Sequence, residues 1–283
     1  MPYPIISHIF WNPKTELFHF PNIGLSLYWY GLLWAIGLIL SRQVGLYIFL
    51  RDKRYTEDLP RLFFYIVVPA VLGARLGHFL FYDIDIFLTD PLEIITPPFS
   101  GMASHGGVAG IIIGVLAFCR IHHWNYLWVI DRLAIVALIP GVTIRLGNLI
   151  NSEIIGKPAD LPWSFIFARV DLVPRHPAQL YEAICYLILF FVFFWLWKNH
   201  SQKFGNGFFL GGILTSLWIA RLAIEFVKEN QVPFEKQLPL NMGQLLSVPF
   251  ILLGLALIYY SFRKGPDPYH SIISNQVPAN YLS

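Results

Sequence analysis

Ile144-Arg145-Leu146-Gly147-Asn148-Leu149-Ile150-Asn151-Ser152-Glu153-Ile154-Ile155-Gly156 closes a long apolar run with a guanidinium, two carboxamides, a hydroxyl and a carboxylate. A bilayer-embedded segment admits such groups only at considerable cost, so their concentration at the end of this run marks a site. At 3.6 residues per turn, a helix here puts Arg145, Asn148 and Ser152 on one face, with Glu153 on its shoulder. That face is a polar wall in an otherwise apolar segment.

The surrounding chain explains the apolar run. Hydrophobic residues make up 56% of the 283 positions and charged residues only 13%, with a mean hydropathy of +0.56. The apolar share exceeds the usual soluble range and the charged share is about half of normal. This composition is that of a polytopic membrane protein. The net charge is +3, and the Lys and Arg residues are spread along the chain and not run together, so nucleic acid is not an expected partner. Cys119 and Cys185 both sit in apolar runs, as buried thiols do, and are not spaced as a disulfide or a metal site. No metal, nucleotide or redox cofactor is suggested. There is no Gly-rich phosphate loop after a strand, and the adjacent His122 and His123 do not face one another on a helix.

Hydropathy predicts an all-α protein with seven transmembrane helices. The first runs over 25–40 and continues to 50; the others cover 62–82, 104–118, 127–150, 178–197, 208–226 and 244–262. The fourth has an alternative start near Leu133, because Asp131 and Arg132 suit an interface. Upstream, residues 1–22 carry Phe10, Trp11, Phe18 and Phe20 without a charged n-region or a small-residue cleavage site, so they read as an interfacial segment and not as a removable signal peptide.

Orientation follows from the loops. Arg51, Lys53, Arg54, Arg61, Arg120, Arg132, Lys198, Lys203, Arg263 and Lys264 fall on one side; Lys14, Lys157, Arg169, Arg175, Lys228 and Lys236 fall on the other. The loop between the second and third spans carries Asp83, Asp85, Asp90 and Glu93 and nothing basic. The N-terminus is therefore expected outside and the C-terminus in the cytoplasm. Residues 1–283 read as a single integral membrane domain, with 151–177 as a small extracytoplasmic insertion between the fourth and fifth helices. Within it Trp163, Phe165 and Phe167 alternate with Ser164, Ile166 and Ala168, and four prolines punctuate the loop, so some β structure is expected.

Several further residues are candidates for chemistry. Gly106, Gly110 and Gly114 recur every four residues as a packing ridge. His105, just before that ridge, suits either an interfacial hydrogen bonder or a base. Arg221 and Glu225 stand at i, i+4; they either neutralise each other or, with Arg145 from another span, leave two guanidiniums free to clamp one phosphate. Arg75 suits helix–helix contact through a carbonyl or a carboxylate such as Glu182, and Tyr30 suits either the aromatic belt or a pocket wall.

Taken together these residues resemble the prolipoprotein diacylglyceryl transferase family of bacteria. The resemblance runs through Tyr30-Gly31, Gly73-Ala74-Arg75, His105-Gly106-Gly107, and the signature Arg145, Gly147, Asn148, Asn151, Glu153 and Gly156. It continues through His176-Pro177 with Gln179-Leu180-Tyr181-Glu182, Arg221 with Glu225, and Gly243-Gln244 with Ser247 and Pro249. The chain departs from the family pattern at Ile144 and Leu149, which are apolar swaps, and at Leu217, where the family tends to carry Tyr.

The resemblance implies a transferase of the bacterial cytoplasmic (inner) membrane. It would move a diacylglyceryl group from phosphatidylglycerol to the lipobox cysteine thiol in a preprolipoprotein signal peptide, forming a thioether and releasing glycerol phosphate. Catalytic roles then fall to His105, Arg145 and Arg221. Substrate contacts fall to Arg145, Asn148, Asn151, Glu153, Gly156, Glu225, Tyr30 and Arg75, with His105 or Glu153 taking the thiol proton. The alternative is a lipid or solute transporter with an intramembrane anion site. Against it, the two halves show no evident internal repeat and the polar residues gather toward one end of the spans.

Overall fold

The computed structural model describes residues 8–21, 25–53, 58–94, 101–229 and 241–266. Among them seven helices are long and apolar enough to cross a membrane. They are α1 (Trp29–Arg51), α2 (Asp58–Phe81), α4 (Ser104–Ile121), α5 (Tyr126–Asn151), α6 (Ala178–His200), α7 (Phe208–Glu225) and α8 (Met242–Lys264); α3 (Ile84–Thr89) is a short helix after α2. Residues such as Ile113, Phe191 and Leu252 are exposed along them, as lipid-facing positions should be. The chain forms two compact units: Met1–Val44 with Asp131–Ser283, and Gly45–Ile130.

In the first unit the predicted β element is present and takes a strand from elsewhere. β4 (Phe165–Phe167) pairs antiparallel with β5 (Pro174–Arg175) and parallel with β1 (Ile9–Trp11). Phe165 and Phe167 pack with Leu149 in a small core that Trp11, Ile155 and Leu180 close. Trp11 also donates its indole N–H to the Leu149 carbonyl at 2.8 Å, a side-chain donor to one of the last carbonyls of α5. The N-terminal segment thus belongs to the insertion, a pairing that three residues without alternation did not announce.

Two further devices hold this unit's helices. Asp131 is fully buried in α5 and accepts the N–H groups of Gly207 and Leu210, both at 2.8 Å. It caps α7 from another helix, a negative charge at the positive end of a helix dipole. Where α7 meets α8, a Cβ on Gly211 would lie 2.7 Å from the Gly254 carbonyl oxygen, so the backbones approach as only glycine allows.

The second unit is built on α2 against α4. Pro69 sits inside α2 and has no N–H to offer Tyr65, which frees that carbonyl. A Cβ on Gly114 would fall on this oxygen, and one on Gly110 on the Pro69 carbonyl. Gly73 meets the Gly106 carbonyl in the same way, and Gly77 meets the Gly106 Cα. The glycine ridge is matched by a proline-opened backbone across from it, and close Cα–H contacts to carbonyls replace side-chain interdigitation.

Some boundaries differ from expectation. Helix α1 starts at Trp29, because residues Leu25–Tyr28 form β3, antiparallel to β2 (Glu16–Phe20), and Trp29 N–H bonds the Thr15 carbonyl at 3.0 Å. Helix α5 begins at Tyr126 and carries Asp131 inward; its cap on α7 supplies what an interface would have. Lys228 is 1% exposed and is no loop cation. Arg54 and Lys236, counted above for orientation, lie outside the described residues, as do residues 1–7 of the interfacial segment.

Candidate active site

The polar end of α5 is shaped by how the helix stops. The helix ends at Asn151; Ser152 then takes φ 59°, so it leaves the face predicted for it with Arg145 and Asn148. Ser152 N–H returns to the Leu149 carbonyl at 3.1 Å and Glu153 N–H to the Asn148 carbonyl at 2.9 Å, the paired bonds of a Schellman motif with serine where glycine is usual. Ile154 follows at φ 56°, a left-handed conformation that a β-branched residue adopts only at a cost of about 1–2 kcal/mol. Strain of this kind persists where surrounding structure over-determines it, commonly at functional sites.

The turn folds Glu153 back onto the helix. Its Oε2 accepts from the Asn148 carboxamide at 2.9 Å and its Oε1 from the Asn151 carboxamide at 3.1 Å, while Arg145 donates to Asn148 Oδ1 at 3.4 Å. Gln179, wholly buried on α6, donates to the Glu153 backbone carbonyl. Tyr30 joins the group: its ring packs where Gly147 leaves no Cβ, and both Glu153 and Arg145 act on it electrostatically.

Behind this turn runs a chain of buried charges. Arg145 Nε pairs with Glu182 Oε2; Lys228 Nζ bridges Glu182 Oε1 at 3.2 Å and Glu225 Oε1 at 2.9 Å; and Arg221 Nε lies 3.7 Å from the same Glu225 oxygen. Glu182 and Lys228 are each 1% exposed. Isolated buried charges cost several kcal/mol, and alternation of sign is what makes the row tolerable. Asn241, the N-cap of α8 in a capping box with Gln244, donates to Glu225 Oε2 at 3.2 Å. Tyr186 on α6 lies within the electrostatic reach of both Arg145 and Arg221.

Three cations stand against two carboxylates in this row. Its ends are guanidiniums, and Arg221 Nε is buried with no hydrogen-bond partner among the described residues. Its carbon sits 5.1 Å from the Trp218 ring, which orients the fork without occupying it. A low-dielectric site whose end guanidinium keeps an unused donor suits one oxyanion.

Gly156 serves by close approach. Its N–H bonds the His176 carbonyl at 3.0 Å and a Cβ would lie 2.8 Å from the Val227 carbonyl oxygen, so the loop after α5, the start of α6 and the end of α7 converge there. Lys228 pairs with Gly156 across that bridge, which is how the lysine is turned inward. Nearby, outside the spans, burial pushes His176 below its ordinary value, and its Nδ1 lies 3.1 Å from the Tyr181 hydroxyl.

The structure therefore gathers Tyr30, Arg145, Asn148, Asn151, Glu153, Gly156, Arg221 and Glu225 within the first unit. Arg75 and His105 belong to the second. Arg75 is 2% exposed and donates to the Glu93 carbonyl at 2.7 Å and the Gly101 carbonyl at 3.1 Å, as expected of a carbonyl-bonding arginine and with other carbonyls than a helix–helix contact would offer. His105 is exposed, edge-on to Phe81 at 5.0 Å. Sequence reasoning missed Lys228 and Asn241. Lys228 looked like a loop cation, and the one available signal was its position three residues after Glu225.

Among the described residues, seven helices long and apolar enough to cross a membrane, with a buried row of alternating charges, define a multi-pass membrane protein with a buried polar site. The sequence pattern of the prolipoprotein diacylglyceryl transferase family matches residues 17–260. The chain belongs to that family. It is similar to the phosphatidylglycerol–prolipoprotein diacylglyceryl transferase of Bacteroides fragilis, 46% identical over 273 residues covering 92% of this chain and 98% of the relative. The protein of that name from Chloroherpeton thalassium is 42% identical over 264 residues, covering 92% and 96%, and that from Chlamydia muridarum 32% over 271 residues, covering 90% and 98%.

Proposed function

We propose that this chain transfers the diacylglyceryl group of phosphatidylglycerol to the lipobox cysteine thiol of a preprolipoprotein, making a thioether and releasing glycerol phosphate, in the bacterial inner membrane. Its family membership supports the reaction, and the row of three cations and two carboxylates carries the assignment of the site. In the reaction the glyceryl C–O bond breaks as a C–S bond forms, and the leaving group gains negative charge on phosphate oxygen. Arg145 and Arg221 stabilise that charge; Lys228 lets two carboxylates hold both guanidiniums without cancelling them. Asn148, Asn151 and Glu153 orient the glycerol headgroup beside Tyr30. Glu225 positions Arg221, Gly156 permits the loop's approach, and Arg75 holds the Gly101 segment. A thiol of ordinary pKa about 8.5 needs an acceptor, and His105 takes or relays its proton.

Residues 1–283 act as one membrane domain with the N-terminus outside, the C-terminus in the cytoplasm and 151–177 as an outer insertion. Mass spectrometry of a lipobox peptide incubated with purified protein and phosphatidylglycerol tests the proposal. A diacylglyceryl adduct on cysteine with wild type, lost with Arg145→Ala, is expected. No adduct from folded, lipid-binding protein would overturn it in favour of lipid transport.

A further inference from the structure

A cavity of about 480 Å³ in the second unit is lined by His78, Tyr82, Asp83, Ser104 and His105, with the 101–103 backbone. His105, given the thiol proton above, has ring contacts there with Phe81 and Tyr82 but no hydrogen bond or carboxylate among the described residues. His78 differs. Its Nε2 lies 2.8 Å from Asp83 Oδ2, and its ring stacks on Tyr82 at 5.7 Å and 26°. Tyr82 is also 6.2 Å from the His105 ring, so one phenol borders both imidazoles.

A carboxylate on one imidazole nitrogen does three things. It fixes the tautomer with N–H toward the carboxylate, it leaves the other nitrogen as an acceptor, and it stabilises the imidazolium once a proton arrives. His78 has that arrangement, and among the described residues His105 has none. The backbone preserves it: Gly101 adopts φ 80°, and a Cβ there would fall on the His78 ring. Asp83 itself follows α2 by two residues, and its N–H bonds the Phe79 carbonyl at 3.3 Å, which keeps the carboxylate beside the helix end.

We propose that His78, held by Asp83, is the proton relay that receives the thiol proton from His105. This rests on the transferase reading above. The thiol S–H bond breaks and its electron pair forms the C–S bond; the C–O pair leaves with glycerol phosphate; the proton passes to His105, then to the free nitrogen of His78, and from there to water at the cavity mouth. Asp83 is a positioning residue. The charged and titratable groups around His78 are Asp83, Tyr82 and His105, with Arg75 one turn earlier on α2 bonded to the Gly101 carbonyl.

The test is the pH profile of transfer to a lipobox peptide by full-length protein in phosphatidylglycerol micelles, comparing wild type with His78→Gln, Asp83→Asn and His105→Gln. His78→Gln is expected to lower kcat at neutral pH by roughly 10²-fold, the scale of one general-base contribution, with KM for the lipid unchanged. Asp83→Asn should alter the shape of the kcat/KM pH profile, whereas a merely structural role would scale activity by the same factor at every pH. Should His78→Gln prove misfolded, Asp83→Asn decides alone. An unchanged profile in Asp83→Asn, or full activity in His78→Gln, overturns the relay. If His105→Gln is fully active too, the role given to His105 also fails, whereas loss of transfer in Arg145→Ala would leave the phosphate site standing.

Discussion

The pair α2/α4 and the trio α5/α6/α7 solve the same problem by opposite means. Helices in lipid gain nothing from burying apolar surface against each other, so another attraction must join them. Between α2 and α4 it is backbone proximity: Gly73, Gly106, Gly110 and Gly114 meet carbonyls, one of them released by Pro69, and Gly77 meets the Gly106 Cα. Among α5, α6 and α7 it is charge, with Arg145, Glu182, Lys228, Glu225 and Arg221 in an unbroken row. The first arrangement is built from backbone alone and is insensitive to solution conditions. The second costs desolvation and in return leaves a guanidinium donor available. Their difference is between a contact without charge and one that charge maintains.

Cutting the charged row at its centre should have the largest effect. Lys228→Met leaves two buried carboxylates facing each other, and thermal unfolding in detergent should show a loss of about 3–5 kcal/mol, as for one partner removed from a buried pair. Unchanged stability would mean the row is not the element that joins these helices. Next, Gly110→Leu overpacks the glycine contact and should cost about 1–3 kcal/mol in the same assay, equally at low and high salt. A salt-dependent loss would erase the contrast between the two regions.

Smaller effects sharpen the picture. Ile154→Gly should relieve the left-handed strain and raise stability by up to about 1 kcal/mol, less the extra entropy of a glycine, while lowering transfer activity if the turn must hold Glu153 rigidly. The smallest effect is expected at Asp171. Arg175 donates to both its oxygens, from Nε at 3.1 and 3.0 Å, and holds its carboxyl below the ordinary range; the same contact raises the guanidinium. A depressed carboxyl contributes stability above its unfolded value of about 3.9 and loses it as pH falls through the folded value. The stability difference between wild type and Asp171→Asn should therefore be constant from pH 5 to 8 and vanish in stronger acid. Because this is a single loop ion pair with side chains 14% and 30% exposed, the difference should be slight beside that of the charged row.

Much of the site was legible because its residues break a local pattern. Arg145, Asn148, Asn151 and Glu153 stand out in an apolar run whatever surrounds them, and Arg221 and Glu225 share one helix face. The helix end was not legible at Ser152, since a Schellman turn usually declares itself with glycine. Lys228 was hidden for another reason: its chain neighbours are those of a loop, and Glu182, its partner, lies 46 residues away. Likewise Ile9-Phe10-Trp11 carries no strand signal without β4 beside it.

Sequence by itself determined the seven apolar helices, the glycine ridge and the membership in a family, because hydropathy, small-residue spacing and ordered motifs are properties of chain segments. Tertiary structure alone decided which carboxylate answers which cation, that an N-terminal strand completes the sheet of β4 and β5, and that, among the described residues, His78 has a carboxylate while His105 has none. Those outcomes depend on distances between residues far apart in the chain, and electrostatic and hydrogen-bond energies in a low-dielectric interior change steeply over a few ångströms.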